Sequence, residues 1–210
     1  TALGYRSWWH PAARAGYSGA ILLSKEEPLE VRLGLGLEQF DVEGRVIQAD
    51  FPEYSVITSY FPNAGRGVER MQYKFDFYAA FLEHVNRLRA DGRNVVFMGD
   101  FNIAPDDRDV HDPIAWAGQV MCTPQEREHF RGLLALGLHD AFRLFEQPPK
   151  SWSWWDYRML AFRKNQGLRI DHILVSPALR GRVQACTIDK EPRRAERPSD
   201  HAPVIVTLAD

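Results

Sequence analysis

Gly99, Asp100, Phe101 and Asn102 close one short apolar run, Arg169, Ile170 and Asp171 open a second, and Ser199, Asp200 and His201 stand just before a third. Three carboxylates, an amide and an imidazole at strand ends are the ingredients of a magnesium-assisted phosphodiester cleavage site. Carboxylates hold a hard cation or orient a water, and an imidazole steadies the charge that grows on a phosphoryl group.

The run from Arg93 to Asn102 ends its apolar stretch at Gly99, which delivers Asp100 and Asn102 to one side and Phe101 to the other. The glycine admits close approach of backbone or substrate. The Asn102 amide can donate to a phosphoryl oxygen or offer its carbonyl to a metal. Taken alone, an Asp and an Asn capping the turn after a strand explain the motif equally well. Asp171 lies inside an apolar strand, where an unpaired carboxylate is expensive, so it needs a partner such as an imidazolium. His201 is the best of the seven histidines for that role, because it combines a carboxylate neighbour with a strand-end position. His10, His84, His111, His129, His139 and His172 read as surface or packing residues.

A Pro/Asn/Gly loop from Ser59 to Gly67 precedes a long helical pattern and can set Tyr60 and Asn63 into a cleft, with a helix start behind it that favours an anion. A plain turn and helix start account for the same residues. Trp152, Trp154 and Trp155 precede Asp156, Tyr157 and Arg158. At least one of these rings is expected in the core, and a remaining one could line a base-sized or sugar-sized pocket.

The elements that must position these residues are mostly strands. Runs rich in Val, Ile, Leu and aromatics at Ala20 to Ser24, Arg45 to Phe51, Tyr54 to Tyr60, Asn94 to Met98, Arg169 to Val175 and Pro203 to Leu208 lie between turn signals. Ile47, Ala49 and Phe51 alternate with Gln48 and Asp50, which predicts one buried face there. From Val68 to Ala90, apolar residues at Met71, Phe75, Tyr78, Leu82, Val85 and Leu88 form a helical stripe. Thr123, Pro124 and Glu126 open a second helix as a capping box, ending near Gly137. The pattern predicts an α/β fold, a layered α/β sandwich with two mixed, mostly antiparallel sheets flanked by helices.

With 210 residues, 45% of them hydrophobic, the chain can bury one full core as a single domain. No stretch approaches the ~20 apolar residues of a membrane span, so the expectation is a cytoplasmic protein without membrane contact. Cys122 and Cys186 match no disulfide framework or zinc spacing and read as small core residues. The net charge of −2 gives no global basic surface. A metal-dependent phosphodiesterase nevertheless needs acids at its centre and Arg or Lys at its rim, and these cancel in the sum.

The chain resembles the exonuclease III and abasic-site endonuclease family of the endonuclease/exonuclease/phosphatase fold. The likeness runs from Arg14–Gly19 through the Tyr60–Gly67 loop, the GDFN motif at Gly99–Asn102, WSWWDYR at Trp152–Arg158, GLRID at Gly167–Asp171 and SDHAPV at Ser199–Val204. It implies a magnesium-dependent DNA repair hydrolase, with manganese as a substitute, cleaving 5′ to abasic sites and trimming duplex DNA from 3′ ends as a monomer. The resemblance assigns Tyr60, Asp100, Asn102, Asp171 and His201 to catalysis. It assigns Asp100, Asn102, Asp200 and His201 to the metal, and Asn63, Arg66, Arg70, Trp154 and Arg158 to DNA. Family members also carry an N-terminal strand with an Asn and a Gln-Glu pair whose Glu binds magnesium. Leu3, Gly4 and Tyr5 resemble the region just after that Glu, so the expectation is an N-terminally truncated domain, weakly active and unstable. Two alternatives stay open: a phosphoesterase of the same fold acting on lipid or inositol phosphates, and a catalytically silent DNA-binding fragment.

Overall fold

Parallel neighbours in a sheet need a long crossover, and the segment between the two most apolar strands provides one. The computed structural model describes residues 3–65 and 67–209. In chain order the first half comprises β1 (Arg6–Pro11), β2 (Gly19–Ser24), β3 (Glu30–Leu33), α1 (Glu38–Asp41), β4 (Val46–Asp50), β5 (Tyr54–Tyr60) and α2 (Val68–Ala90). The second half comprises β6 (Asn94–Asp100), α3 (Pro113–Trp116), α4 (Pro124–Ala135), β7 (His139–Asp140), β8 (Asp171–Val175), α5 (Pro177–Arg180), β9 (Val183–Ile188) and β10 (Val204–Leu208).

Six strands form one mixed sheet in the order β3-β4-β5-β6-β8-β7. Only β5 and β6 run parallel, and α2 is their crossover; the other neighbours are antiparallel. One face of this sheet carries Ile57, Val95, Phe97 and Leu174 into a core with Phe77, Tyr78 and Phe81 of α2 and Phe130 and Leu133 of α4. The opposite face is covered by two antiparallel ladders. The β9–β10 pair packs on Val96, Met98, Ile173 and Val175, and β1–β2 packs on Ile47, Ala49 and Val56. The result is an α/β fold of mixed, mostly antiparallel sheets flanked by helices, as the strand pattern predicts.

Three local expectations differ from the structure. On α2 the buried stripe is Lys74, Phe77, Tyr78, Phe81, Val85 and Leu88, with a lysine on the seam, while Met71, Phe75 and Leu82 are half-buried and Leu82 packs at the edge of the same core. The strand β4 is covered on both faces: Gln48 is fully buried and bonds Asp50 at 2.8 Å and His84 at 2.8 Å. The strands β1, β3, β7 and β9 lack the apolar runs that mark the others. For α4 the capping box is present, Thr123 and Glu126 bonding reciprocally around Pro124. Cys122 and Cys186 are free and buried.

Candidate active site

The register of three adjacent strands builds the site. Tyr60 at the end of β5 pairs with Asp100 at the end of β6, and Asp100 pairs with Asp171 at the start of β8. The strand period of two turns all three side chains toward the same face as Val96, Met98 and Ile173, away from the helices. His201 reaches this row from the segment before β10, where its backbone bridges Trp154. A cleft between the two outer ladders is lined by Thr58, Tyr60, Gly99, Asp100, Asp171, Asp200 and His201, with Gly19 to Ile21 of β2 on its far wall.

His201 Nδ1 lies 2.9 and 3.1 Å from the two carboxylate oxygens of Asp171. Its Nε2 is 3.9 Å from Asp100. Burial alone would push the imidazole pKa down, but the hydrogen bond and charge of Asp171, joined by Asp100 and Asp200, outweigh it and hold the ring up to about 9. His201 is therefore an imidazolium at neutral pH. Asp100 is pushed up to about 7, first by burial and then by the Asp171 charge, against the opposing pull of His201 and of the Asn102 amide.

The turn after β6 fixes the Asp100 carboxylate. Asn102 N–H donates to its Oδ1 at 2.8 Å and Asn102 Nδ2 donates to its Oδ2 at 3.0 Å, while Nδ2 also reaches the Phe61 carbonyl at 3.0 Å. Asn102 is buried and has a left-handed backbone, φ 51°. Gly99 is required for close packing: a Cβ there would sit 1.9 Å from the Ser59 carbonyl oxygen, at a φ of +144°.

Asp100, Asp171 and His201 each bring a ligand atom within 4.8 Å of the others, a candidate site for a divalent cation. The two carboxylates of this set fit such an ion, whereas His201 ligates only in its neutral form. Burial and then the Asp171 charge push the Asp100 carboxyl up, and carboxylate oxygens suit hard cations. Asp200 borders the cleft outside this trio, and its Oδ2 accepts from Trp154 Nε1 at 3.0 Å. Asn102 contributes to the site through its contacts with Asp100.

Among the described residues, the others expected to touch nucleic acid do not line this cleft. Trp154 is half-buried beside Asp200, while Trp152 and Trp155 lie in the core. Asn63 is exposed, and its Oδ1 accepts from Gly65 N–H at 3.0 Å. Arg70 pairs with Glu43 at 2.8 Å and donates to the Tyr17 hydroxyl at 2.7 Å. Arg158 is exposed and pairs with Asp156 at 2.8 Å. Arg66 lies outside the described residues.

Several supporting contacts escape the sequence reading. Arg45 is buried, stacks 4.7 Å from the Tyr60 ring centroid and donates to the Tyr60 carbonyl at 2.8 Å. Burial and Asp100 raise the Tyr60 hydroxyl pKa, and Arg45 opposes them. Behind β8, buried Arg169 donates to Asp109 at 2.6 Å and to Asp140 at 2.8 Å. His172 donates Nε2–H to the Ile103 carbonyl at 2.9 Å. A cation within a strand-rich segment was the available signal for Arg45 and Arg169, because a buried guanidinium needs fixed acceptors.

Residues 1–201 match the endonuclease/exonuclease/phosphatase family. The chain is 37% identical over 201 residues to an exodeoxyribonuclease of Bacillus subtilis (strain 168), a span of 95% of this chain and 78% of that protein. The solved structure of a 3′-5′ exonuclease from Neisseria meningitidis superposes with a TM-score of 0.93 at 37% identity, over 100% of this chain and 81% of the other. An AP endonuclease from Archaeoglobus fulgidus superposes with a TM-score of 0.90 at 30% identity, over 99% of this chain and 80% of that one.

Proposed function

Since this chain belongs to the endonuclease/exonuclease/phosphatase family, in its exonuclease III and abasic-site endonuclease branch, we propose that it is a magnesium-dependent DNA repair phosphodiesterase. It cleaves 5′ to abasic sites and removes nucleotides 3′ to 5′ from duplex DNA. The observation that carries this reading is the row Tyr60–Asp100–Asp171 across β5, β6 and β8, with His201 bound to Asp171.

The surroundings of each residue support the role proposed for it. Asp100, with a pKa near 7 and both oxygens held by Asn102, takes a proton from the attacking water. The His201 imidazolium, kept charged by Asp171, faces the phosphate and stabilises the negative charge that builds on it. The Tyr60 hydroxyl donates to a phosphoryl or leaving oxygen from its place on Arg45. Asp100 and Asp171, with Asp200 at the cleft edge, are the residues that would hold magnesium or manganese, and the charged His201 ring would lie beside the ion rather than on it. The bound ion supplies polarisation of the phosphodiester and neutralisation of the leaving 3′ oxygen.

Trp154 lines the pocket for the extruded abasic sugar. Asn63, Arg66, Arg70 and Arg158 contact the DNA backbone. We further read residues 1–210 as a single domain acting as a monomer in the cytoplasm. The buried free thiols of Cys122 and Cys186 are at home in a reducing compartment. Among the described residues, no helix is long and apolar enough to cross a membrane.

The test compares a duplex carrying one abasic site, an intact 3′-labelled duplex and an inositol phosphate, each with magnesium and with EDTA. Incision 5′ to the abasic site and shortening of the 3′ label, both abolished by EDTA, are expected. Release of phosphate from the inositol phosphate with both DNAs left intact would overturn the reading.

A further inference from the structure

We propose that Lys74, together with Tyr78 one turn further along α2, is a positioning clamp for the Asp100–Asn102 turn. The two side chains grip consecutive carbonyls of that turn, and so hold Asn102 in the conformation that directs its amide hydrogens at Asp100.

The Lys74 ammonium donates to the Asn102 carbonyl at 2.8 Å. The Tyr78 hydroxyl donates to the carbonyl of Phe101. Residues four apart on a helix share a face, so α2 presents both donors to the chain just beyond β6. Asn102 sits at φ 51°, in a region that a residue with a Cβ keeps only where its surroundings over-determine it. Its N–H and Nδ2 both depend on that conformation to reach Asp100. The carbonyl of the same residue is the group that Lys74 holds.

The cost of this arrangement argues for a role. Lys74 is fully buried, and burial depresses its pKa against the opposing charge of Glu126. Glu126 is fully buried as well, ion-paired to Lys74 and fixed by Met121 N–H at 3.0 Å and by the Thr123 hydroxyl at 2.7 Å. A buried ion pair is a poor source of stability, since apolar residues of equal volume commonly serve as well. What an apolar pair would lack is a donor for the Asn102 carbonyl. Glu126 thus anchors the ammonium from the capped start of α4, and Lys74 passes that anchorage on to the active turn.

The kinetic part of the test rests on the nuclease reading; the structural part does not. The double variant Lys74→Met/Glu126→Gln removes the donor without stranding a charge. Tyr78→Phe is nearly isosteric and serves if the double variant does not fold. Incision of an abasic duplex by the folded double variant is expected to lose roughly ten-fold or more in kcat, with KM within about two-fold of the parent. Tyr78→Phe is expected to lose about three-fold or more with the same split, and Lys74→Arg to restore most of kcat. A crystal structure of the metal-free variant should show Asn102 out of the left-handed region or its side chain turned from Asp100. An unmoved Asn102, or parental kcat in the folded variants, would overturn the clamp. If the parent itself does not cut DNA, the nuclease reading fails, and the position of Asn102 in the variant still decides for or against the clamp.

Discussion

Asp171 receives Nδ1 of His201 on both of its carboxylate oxygens, and this leaves Nε2 turned toward Asp100 at 3.9 Å. One carboxylate therefore keeps the ring charged, and the other lies where the ring can act. The two acids have different tasks because their contacts differ: Asp171 bonds the imidazole, and Asp100 is held by Asn102.

The Asp171→Asn variant keeps the shape of this contact and removes its charge. The His201 midpoint, followed by NMR on the metal-free protein, should fall from about 9 toward the ordinary histidine range, since Asp171 supplies the main upward pull. Turnover should drop by roughly a hundred-fold or more at neutral pH, as when the acid partner of a catalytic histidine is lost. An unchanged midpoint would contradict the assignment.

Gly99→Ala tests the close packing between β5 and β6. The new Cβ would meet the Ser59 carbonyl oxygen at 1.9 Å, and backbone cannot yield as a flexible side chain can. The expected cost is about 3 kcal/mol or more, read as a lower urea midpoint. A parental midpoint would show that the strands separate easily here.

His172 should make the fold acid-sensitive. Burial, and then the Arg169 charge, lower its pKa to about 4, below the ordinary 6.5 of the unfolded chain. Between those values the unfolded state binds a proton that the native state does not. The contribution of this residue is thus intact above pH 6.5 and is lost as pH falls toward 4, by up to about 3 kcal/mol. Asp100 titrates with the opposite sign, because its folded pKa is raised to about 7. The observable is therefore the difference between the parent and His172→Gln: the variant should gain on the parent as pH falls from 6.5 to 4. A difference independent of pH would refute this.

Much of this arrangement is legible in the residue order. Val95 to Met98 is apolar on both faces because β6 lies between helices and the β9–β10 ladder, and the acids at the ends of β6 and β8 stand out against such runs. The strand β1, with its sequence RSWWHP, has no clean alternation, since it lies in a two-stranded ladder with much of its surface exposed. Pairings distant in sequence are hidden. Lys74 and Glu126 are separated by 52 positions; Lys74 reads locally as an exposed helix charge and Glu126 as a helix cap until α2 and α4 meet. The bond from Arg45 to the Tyr60 carbonyl likewise depends on how β4 leads into the sheet beside β5.

The central claim is that Asp100, Asp171 and His201 act on one phosphodiester with a divalent cation. Its most direct measurement is single-turnover incision of an abasic duplex by the parent and by Asp100→Asn, across a magnesium titration from an EDTA baseline. The account predicts a rate that saturates with magnesium in the parent and falls by roughly a thousand-fold or more in the variant. Equal rates for the two proteins, or incision that persists undiminished in EDTA, would contradict it.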